Sequence, residues 1–143
     1  MAEAVAQRWL DDQHAAGLTE DRDLATSAGV SAGHDVAVSP ETVVALESLG
    51  INFDGRSKPL SAEMIRQADL VLAMTRSHLH AAEALLEGDA DAEHRAKLHP
   101  LDAERDIEDP IGLGQEAYDD LARRFTELVP ARLAELLDLS PSR

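Results

Sequence analysis

The sequence predicts an α/β protein built on a doubly wound parallel sheet, and three observations carry that reading. Segments of helical and strand periodicity alternate in the order helix, strand, helix, helix, strand, helix, strand, helix. Leu70-Val71-Leu72-Ala73-Met74 is apolar at every position, as a parallel strand covered on both faces must be. The third is composition: 143 residues with 44% hydrophobic and 29% charged side chains have the size and balance of one folded domain. A single domain over residues 1–143 is therefore expected.

In the first segment Val5, Trp9 and Leu10 recur at helical spacing among Glu3, Gln7, Arg8, Asp11 and Asp12, and Gly17 supplies a stop. No capping residue precedes this helix, although its first N–H groups need partners. Asp23-Leu24-Ala25-Thr26-Ser27 alternates briefly and predicts a strand that turns at Ala28-Gly29-Val30. Ser39-Pro40-Glu41 has the order of an N-cap, a first-turn proline and a first-turn acid, and the helix it opens should stop at Gly50.

Ser61-Ala62-Glu63 opens a short helix, with Met64, Ile65 and Ala68 on one side, that leads into the apolar run at 70–74. Leu79, Ala82, Leu85 and Leu86 then fit a crossover helix covering one face of that strand. Ala96-Lys97-Leu98-His99-Pro100 reads as the last strand, followed by an acidic loop. A long helix over about 115–137 carries the stripe Tyr118, Leu121, Phe125, Leu128, Val129, Leu133, Leu136 and Leu137, and Pro130 should kink or split it. A doubly wound fold ordinarily opens with a strand and a ligand-binding turn, whereas this order opens with a helix, one step late.

Charge and residue content exclude several function classes. A formal charge of -15, from 28 acidic against 13 basic residues, repels phosphate backbones and anionic lipid surfaces, so nucleic acid and membrane are not expected partners. No apolar run approaches the roughly 18 residues of a membrane span, the start lacks a signal-peptide pattern, and cytoplasm is the default compartment. There is no cysteine, hence no disulfide, thiolate metal site or thiol nucleophile among these residues. His78 and His80 point to different faces of a helix, and His94 and His99 flank the last strand without completing a zinc set, so no metal is expected. The stretch 87–93 begins like a calcium loop from Asp89 but has His94 at the sixth position, where the turn takes glycine, and Pro100 at the twelfth, where a carboxylate belongs, and reads as a solvated loop. Trp9 and Tyr118 read as packed side chains.

In a parallel sheet the functional loops follow the carboxyl ends of the strands, here residues 27–33, 75–78 and 102–114. The last contains Asp106-Ile107-Glu108-Asp109-Pro110-Ile111-Gly112, where a carboxyl on a proline-stiffened turn can act as general acid or base. An Asp-Pro pair is by itself only a turn signal.

Several stretches, in order, resemble the low-molecular-weight protein tyrosine and arginine phosphatase family: Met1-Ala2-Glu3-Ala4, Ser27-Ala28-Gly29-Val30, Ser57 with Pro59-Leu60, residues 68–75, and Asp109-Pro110 with Gly112. The resemblance covers nearly the whole chain. It implies a cysteinyl-phosphate mechanism without metal or cofactor, acting on a phosphorylated protein or a small phosphoester. By resemblance Asp109 protonates the leaving group and then activates water, while Pro110 sets its loop. The family has an aromatic residue after Asp-Pro; here Ile111 takes away ring stacking and points toward the phosphoarginine-type branch, with phosphotyrosine still open.

The family's phosphate loop is a cysteine, five residues and an arginine, followed by Ser-Pro and the Met-Ala-Glu helix. The resemblance therefore places the first strand, the nucleophile and the phosphate-clamping arginine upstream of Met1, and the upstream reading frame is expected to encode them. The 143 residues alone are expected to be inactive, and to be marginally stable without a central strand. A non-catalytic phosphatase-like remnant that binds a partner is the alternative. The resemblance leaves the oligomeric state open.

Overall fold

The computed structural model describes residues 1–19, 23–29, 38–56 and 58–137. They fall into two compact units, one of Met1–Ser27, Ala37–Arg56 and Pro110–Arg143, the other of Ala28–Val36 and Ser57–Asp109.

The first unit is helical. Helix α1, Ala2–Ala15, has Met1 at its N-cap with no side-chain cap, as its sequence implies, and buries Ala4, Val5 and Leu10. Helix α2, Pro40–Ser48, is capped by Ser39, whose Oγ accepts the Thr42 N–H at 3.3 Å, and Pro40 stands where a missing N–H costs nothing. Past α2, Gly50 takes φ +75°, a conformation that disfavours any Cβ, so the chain reverses where the sequence predicts. Both helices pack on α6, Gln115–Leu136, and Ala45, Tyr118 and Ala122 form a core with Met1 and Leu49 against it. The Gln115 side-chain amide donates to the Glu41 carbonyl at 2.9 Å, tying the first turn of α6 to α2.

One expectation about α6 is corrected, and of the kink or split expected at Pro130 the split does not occur. Its buried face is Tyr118, Ala122, Phe125, Val129, Leu133 and Ala134, whereas Leu121, Leu128, Leu136 and Leu137 are only half-buried. Counting large apolar residues alone missed Ala122, which stands four residues after Tyr118 on the i, i+4, i+7 stripe, and Ala134, which is buried off that stripe near the helix's end. Pro130 does not split the helix, which runs unbroken to Leu136. An internal proline costs about 3 kcal/mol, and burial of Phe125, Val129 and Leu133 on either side, at roughly 1.5–3 kcal/mol each, outweighs it.

No strand forms at 23–27. The Ala25 N–H donates to Gln7 Oε1 at 2.7 Å, and the Asp23 carbonyl accepts from Gln7 Nε2 at 3.1 Å. A side chain of α1 has taken the hydrogen bonds that a neighbouring strand would otherwise make, and the segment is extended without belonging to a ladder.

The second unit holds the sheet. Ser61 caps α3, Ala62–Gln67, accepting the Met64 N–H at 3.2 Å. Strand β1, Val71–Ala73, is followed by α4, Arg76–Ala84, whose N-cap Thr75 accepts the His78 N–H at 3.1 Å. Strand β2, Leu98–Pro100, runs parallel to β1 in the register Val71↔Leu98, Leu72↔His99, Ala73↔Pro100. Ile65, Ala82, Leu86 and Leu98 form the core between helices and sheet, with Leu60, Val71 and Leu79 packed on it. The last strand starts at Leu98 because Ala96 and Lys97 complete the turn after α5, Ala92–Arg95, the Lys97 N–H donating to His94 O at 3.1 Å.

The run at 70–74, expected to be buried on both faces, is half-buried throughout β1. Among the described residues β1 has one strand neighbour, so its other edge has no ladder to bury it. A separate parallel bridge joins Gly29 to Pro59, with Gly29 N–H to Lys58 O and Leu60 N–H to Gly29 O both at 3.0 Å.

The stretch 87–93 is exposed at Glu87, Gly88, Ala90, Ala92 and Glu93, as expected, but it is not an irregular loop and Asp91 is not solvated. It forms a 3₁₀ turn, Gly88–Asp91, leading into α5, and Asp91 is only 4% exposed. Arg66 of α3 donates Nε–H and Nη2–H to the two Asp91 oxygens, each at 3.0 Å, and the Glu87 N–H donates to Oδ2 at 2.7 Å. The Arg66 bonds first, then the Glu87 N–H, hold the Asp91 carboxyl well below the usual carboxylate range. A carboxylate so paired can be buried, which reading acidic residues as solvated overlooks. No helix among the described residues is long and apolar enough to cross a membrane.

Candidate active site

The carboxyl end of β1 organises the candidate site. The Leu101 N–H donates to Ala73 O as the last bond of the β1–β2 ladder, and after a loop the chain returns to this end, the Ile107 N–H donating to Met74 O, both at 2.8 Å. Leu101 and Ile107 are 1% and 3% exposed, so apolar burial accompanies both bonds. The residues between them are held by charge and turn chemistry. Asp102 Oδ1 accepts the Glu104 N–H at 2.9 Å, an Asx turn, and Arg105 stands 3.9 Å from the same carboxylate.

Asp106 joins this loop to the one after β1. Its Oδ1 accepts the Arg76 backbone N–H at 2.9 Å and Arg76 Nη1–H at 3.1 Å, while Arg76 Nη2–H donates to Ala103 O at 3.0 Å. Arg76 is the first residue of α4, so its N–H has no partner within the helix. That backbone bond, then the side-chain bond from Arg76, lowers the Asp106 carboxyl below its ordinary value, and His78 adds a smaller pull the same way.

Asp109, the expected acid, follows Ile107 by two residues and is exposed. Beyond it, in the helical unit, Pro110 is half-buried and Ile111 is 73% exposed. The Leu113 N–H donates to Pro110 O at 3.0 Å, closing a four-residue turn whose third residue, Gly112, has φ +79°. That geometry needs a residue without a Cβ, so the glycine after Ile111 is a conformational requirement.

Of the three loops expected to carry function, the structure links 75–78 and 102–109 through Arg76 and Asp106, while most of 27–33 lies outside the described residues. The Asp106–Arg76 link spans 30 residues of sequence and no local pattern announces it. The hint available was the order Asp106-Ile107, a charged residue beside the one large apolar side chain of residues 102–109. Among the described residues no group of three or more His, Asp or Glu side chains is placed to hold a metal ion.

Residues 1–138 match the family described as low molecular weight phosphotyrosine protein phosphatase. The chain belongs to that family. It is 31% identical over 103 residues to a protein-arginine-phosphatase of Bacillus subtilis, covering 72% of this chain and 69% of that one. Among solved structures, YwlE arginine phosphatase, in a mutant with a phosphorylated active-site serine, is 29% identical with a TM-score of 0.77, over 96% of this chain and 86% of that one. A low molecular weight protein tyrosine phosphatase from T. tengcongensis is 31% identical with a TM-score of 0.77, over 94% and 88%.

The fold is therefore the α/β fold of the low-molecular-weight phosphatases, a protein phosphatase family, with β1 and β2 as its parallel strands among the described residues. The 143 residues contain no cysteine, so this phosphatase chain carries no thiolate to attack phosphorus.

Proposed function

We propose that this chain supplies the acid loop of a cysteine-dependent protein phosphatase, with Asp109 as its general acid and base. In the first step a thiolate attacks phosphorus, the bond to the leaving group breaks, and Asp109 gives that group its proton. In the second, Asp109 as carboxylate takes a proton from the water that attacks the phosphocysteine, releasing phosphate and the thiolate. The thiolate must come from residues outside these 143. The observation that carries the reading is the return of the chain to the end of β1 at Ile107, which sets Asp109 two residues from a fixed point.

The substrate in this reading is a phosphorylated protein side chain, with phosphoarginine favoured. Ile111 offers an aliphatic surface where a ring would suit a phosphotyrosine, and the Bacillus subtilis relative bears the name of an arginine phosphatase. The net charge of -15 argues against nucleic acid as a partner. The reading places the protein in the cytoplasm, as one domain, working without metal or cofactor.

Two measurements test it. Residues 1–143 alone should release no phosphate from aryl phosphates or phosphoarginine above the uncatalysed background. Turnover that survives repurification and chelation and is lost in Asp109→Asn would overturn this. With a phosphate loop carrying a cysteine and an arginine supplied ahead of Met1, the chain should turn over, and Asp109→Asn should lower kcat about 10²- to 10⁴-fold with little change in substrate binding. An unaltered kcat in that variant removes Asp109 from the mechanism.

A further inference from the structure

The cluster formed by Arg76, His78, Ala103 and Asp106 is used by none of the proposed chemical steps, yet it joins the acid loop to the first turn of α4. The loop has an apolar anchor, Ile107, and a polar one immediately before it. One oxygen of Asp106 accepts both the backbone N–H and Nη1–H of Arg76, and Nη2–H of the same side chain reaches Ala103 O. Arg76 thus ties the loop at two points three residues apart. An unpartnered N–H at the start of a helix and the positive end of the helix dipole both favour an ionised acceptor. The groups facing this carboxylate are Arg76 and His78 of α4, both of which favour its charge, while Asp102 in the same loop is engaged by Glu104 N–H and Arg105.

We propose that Asp106 is the positioning residue of the acid loop, its carboxylate latching residues 103–107 onto the first turn of α4 and so fixing where Asp109 stands. The idea rests on the phosphatase reading only in making the position of Asp109 matter; the latch itself is a property of this chain. Neither Ile107 nor the Asp-Pro turn alone accounts for the fixed approach, since one hydrogen bond leaves the preceding residues free to swing.

The test uses the full 143-residue chain and nuclear magnetic resonance. In Asp106→Ala, hydrogen-exchange protection of the Ile107 amide should fall about tenfold or more, as loss of a charged hydrogen-bond acceptor implies. The Val71 amide, bonded to Lys97 O in the same unit at 3.1 Å, should change much less. Heteronuclear NOE values of Glu108 and Asp109 should drop together. Asp106→Asn, which keeps the acceptor and loses the charge, should restore part of the protection. In the parent chain the ratio of Ile107 to Val71 protection should fall as pH falls below the ordinary carboxylate range, and it should be flat with pH in Asp106→Asn. Protection of Ile107 that is unchanged in Asp106→Ala, or that falls in step with Val71, overturns the proposal, as does an identical pH profile in Asp106→Asn. Asp109→Asn should leave all these readouts unaltered, so the latch and the proton-transfer role fail by separate experiments.

Discussion

Two aspartates in the sheet-bearing unit are bound in nearly the same way and differ in where they stand. Asp91 and Asp106 each accept hydrogen bonds from an arginine of another element and from a backbone N–H, and each carboxyl is held below its ordinary value. The side chain of Asp91 is 6% exposed and takes both its Arg66 bonds in bidentate form, whereas that of Asp106 is 46% exposed and shares one oxygen between its two donors. Burial makes the first pair part of the fold's stability. Exposure leaves the second able to hold a loop in place while contributing little to the whole. The same local chemistry therefore does two jobs, and solvent access selects between them.

The largest expected difference is thermal. Asp91→Ala leaves a half-buried guanidinium and the Glu87 N–H without their acceptor, and should lower Tm several-fold more than Asp106→Ala does. Calorimetry on the two variants measures this directly. Equal shifts would mean that exposure does not distinguish the pairs, and the comparison would collapse.

Acid should separate the two in order. A carboxyl whose folded pKa lies below its unfolded value, about 3.9 for aspartate, stabilises the fold fully above that value and loses its contribution as pH falls through the folded one. Asp91 is shifted further than Asp106, so its share persists to lower pH. On acidification the Ile107 amide should lose protection first, with cooperative unfolding following at lower pH. Simultaneous loss would show that the loop has no equilibrium of its own.

This pairing also marks what the sequence can and cannot reveal. Strand β1, both parallel strands flanking α4, and the caps Ser39 and Ser61 were legible because they are local: an apolar run, or a hydroxyl ahead of a helical stripe. The turn that opens at Pro110 was legible for the same reason. Arg66 with Asp91 and Arg76 with Asp106 are 25 and 30 residues apart, and nothing in either neighbourhood specifies the partner. The extended segment at 23–27 failed in the opposite sense, since its alternation was real but Gln7 took its hydrogen bonds. Ala122 on the α6 stripe escaped because a small side chain gives a weak apolar signal, even where close packing demands one.

The smallest expected effect is also the sharpest discriminator, because it changes no residue. Raising salt from about 0.05 to 1 M shortens the screening length to about 3 Å and removes most of the attraction between exposed charges. It also relieves the self-repulsion of a chain with net charge -15, which should raise the protection of every amide that exchanges by global unfolding. The two trends oppose each other, so a single amide is uninformative and a ratio is needed. The Glu87 N–H donates to Asp91 and reports on the buried pair, while Ile107 reports on the exposed one. The ratio of Ile107 to Glu87 protection should fall by about twofold or less, since an exposed ion pair contributes little and the Arg76 N–H bond survives salt. A ratio that rises, or that falls tenfold, would contradict the assignment of Asp106 to a screened surface and Asp91 to an unscreened interior.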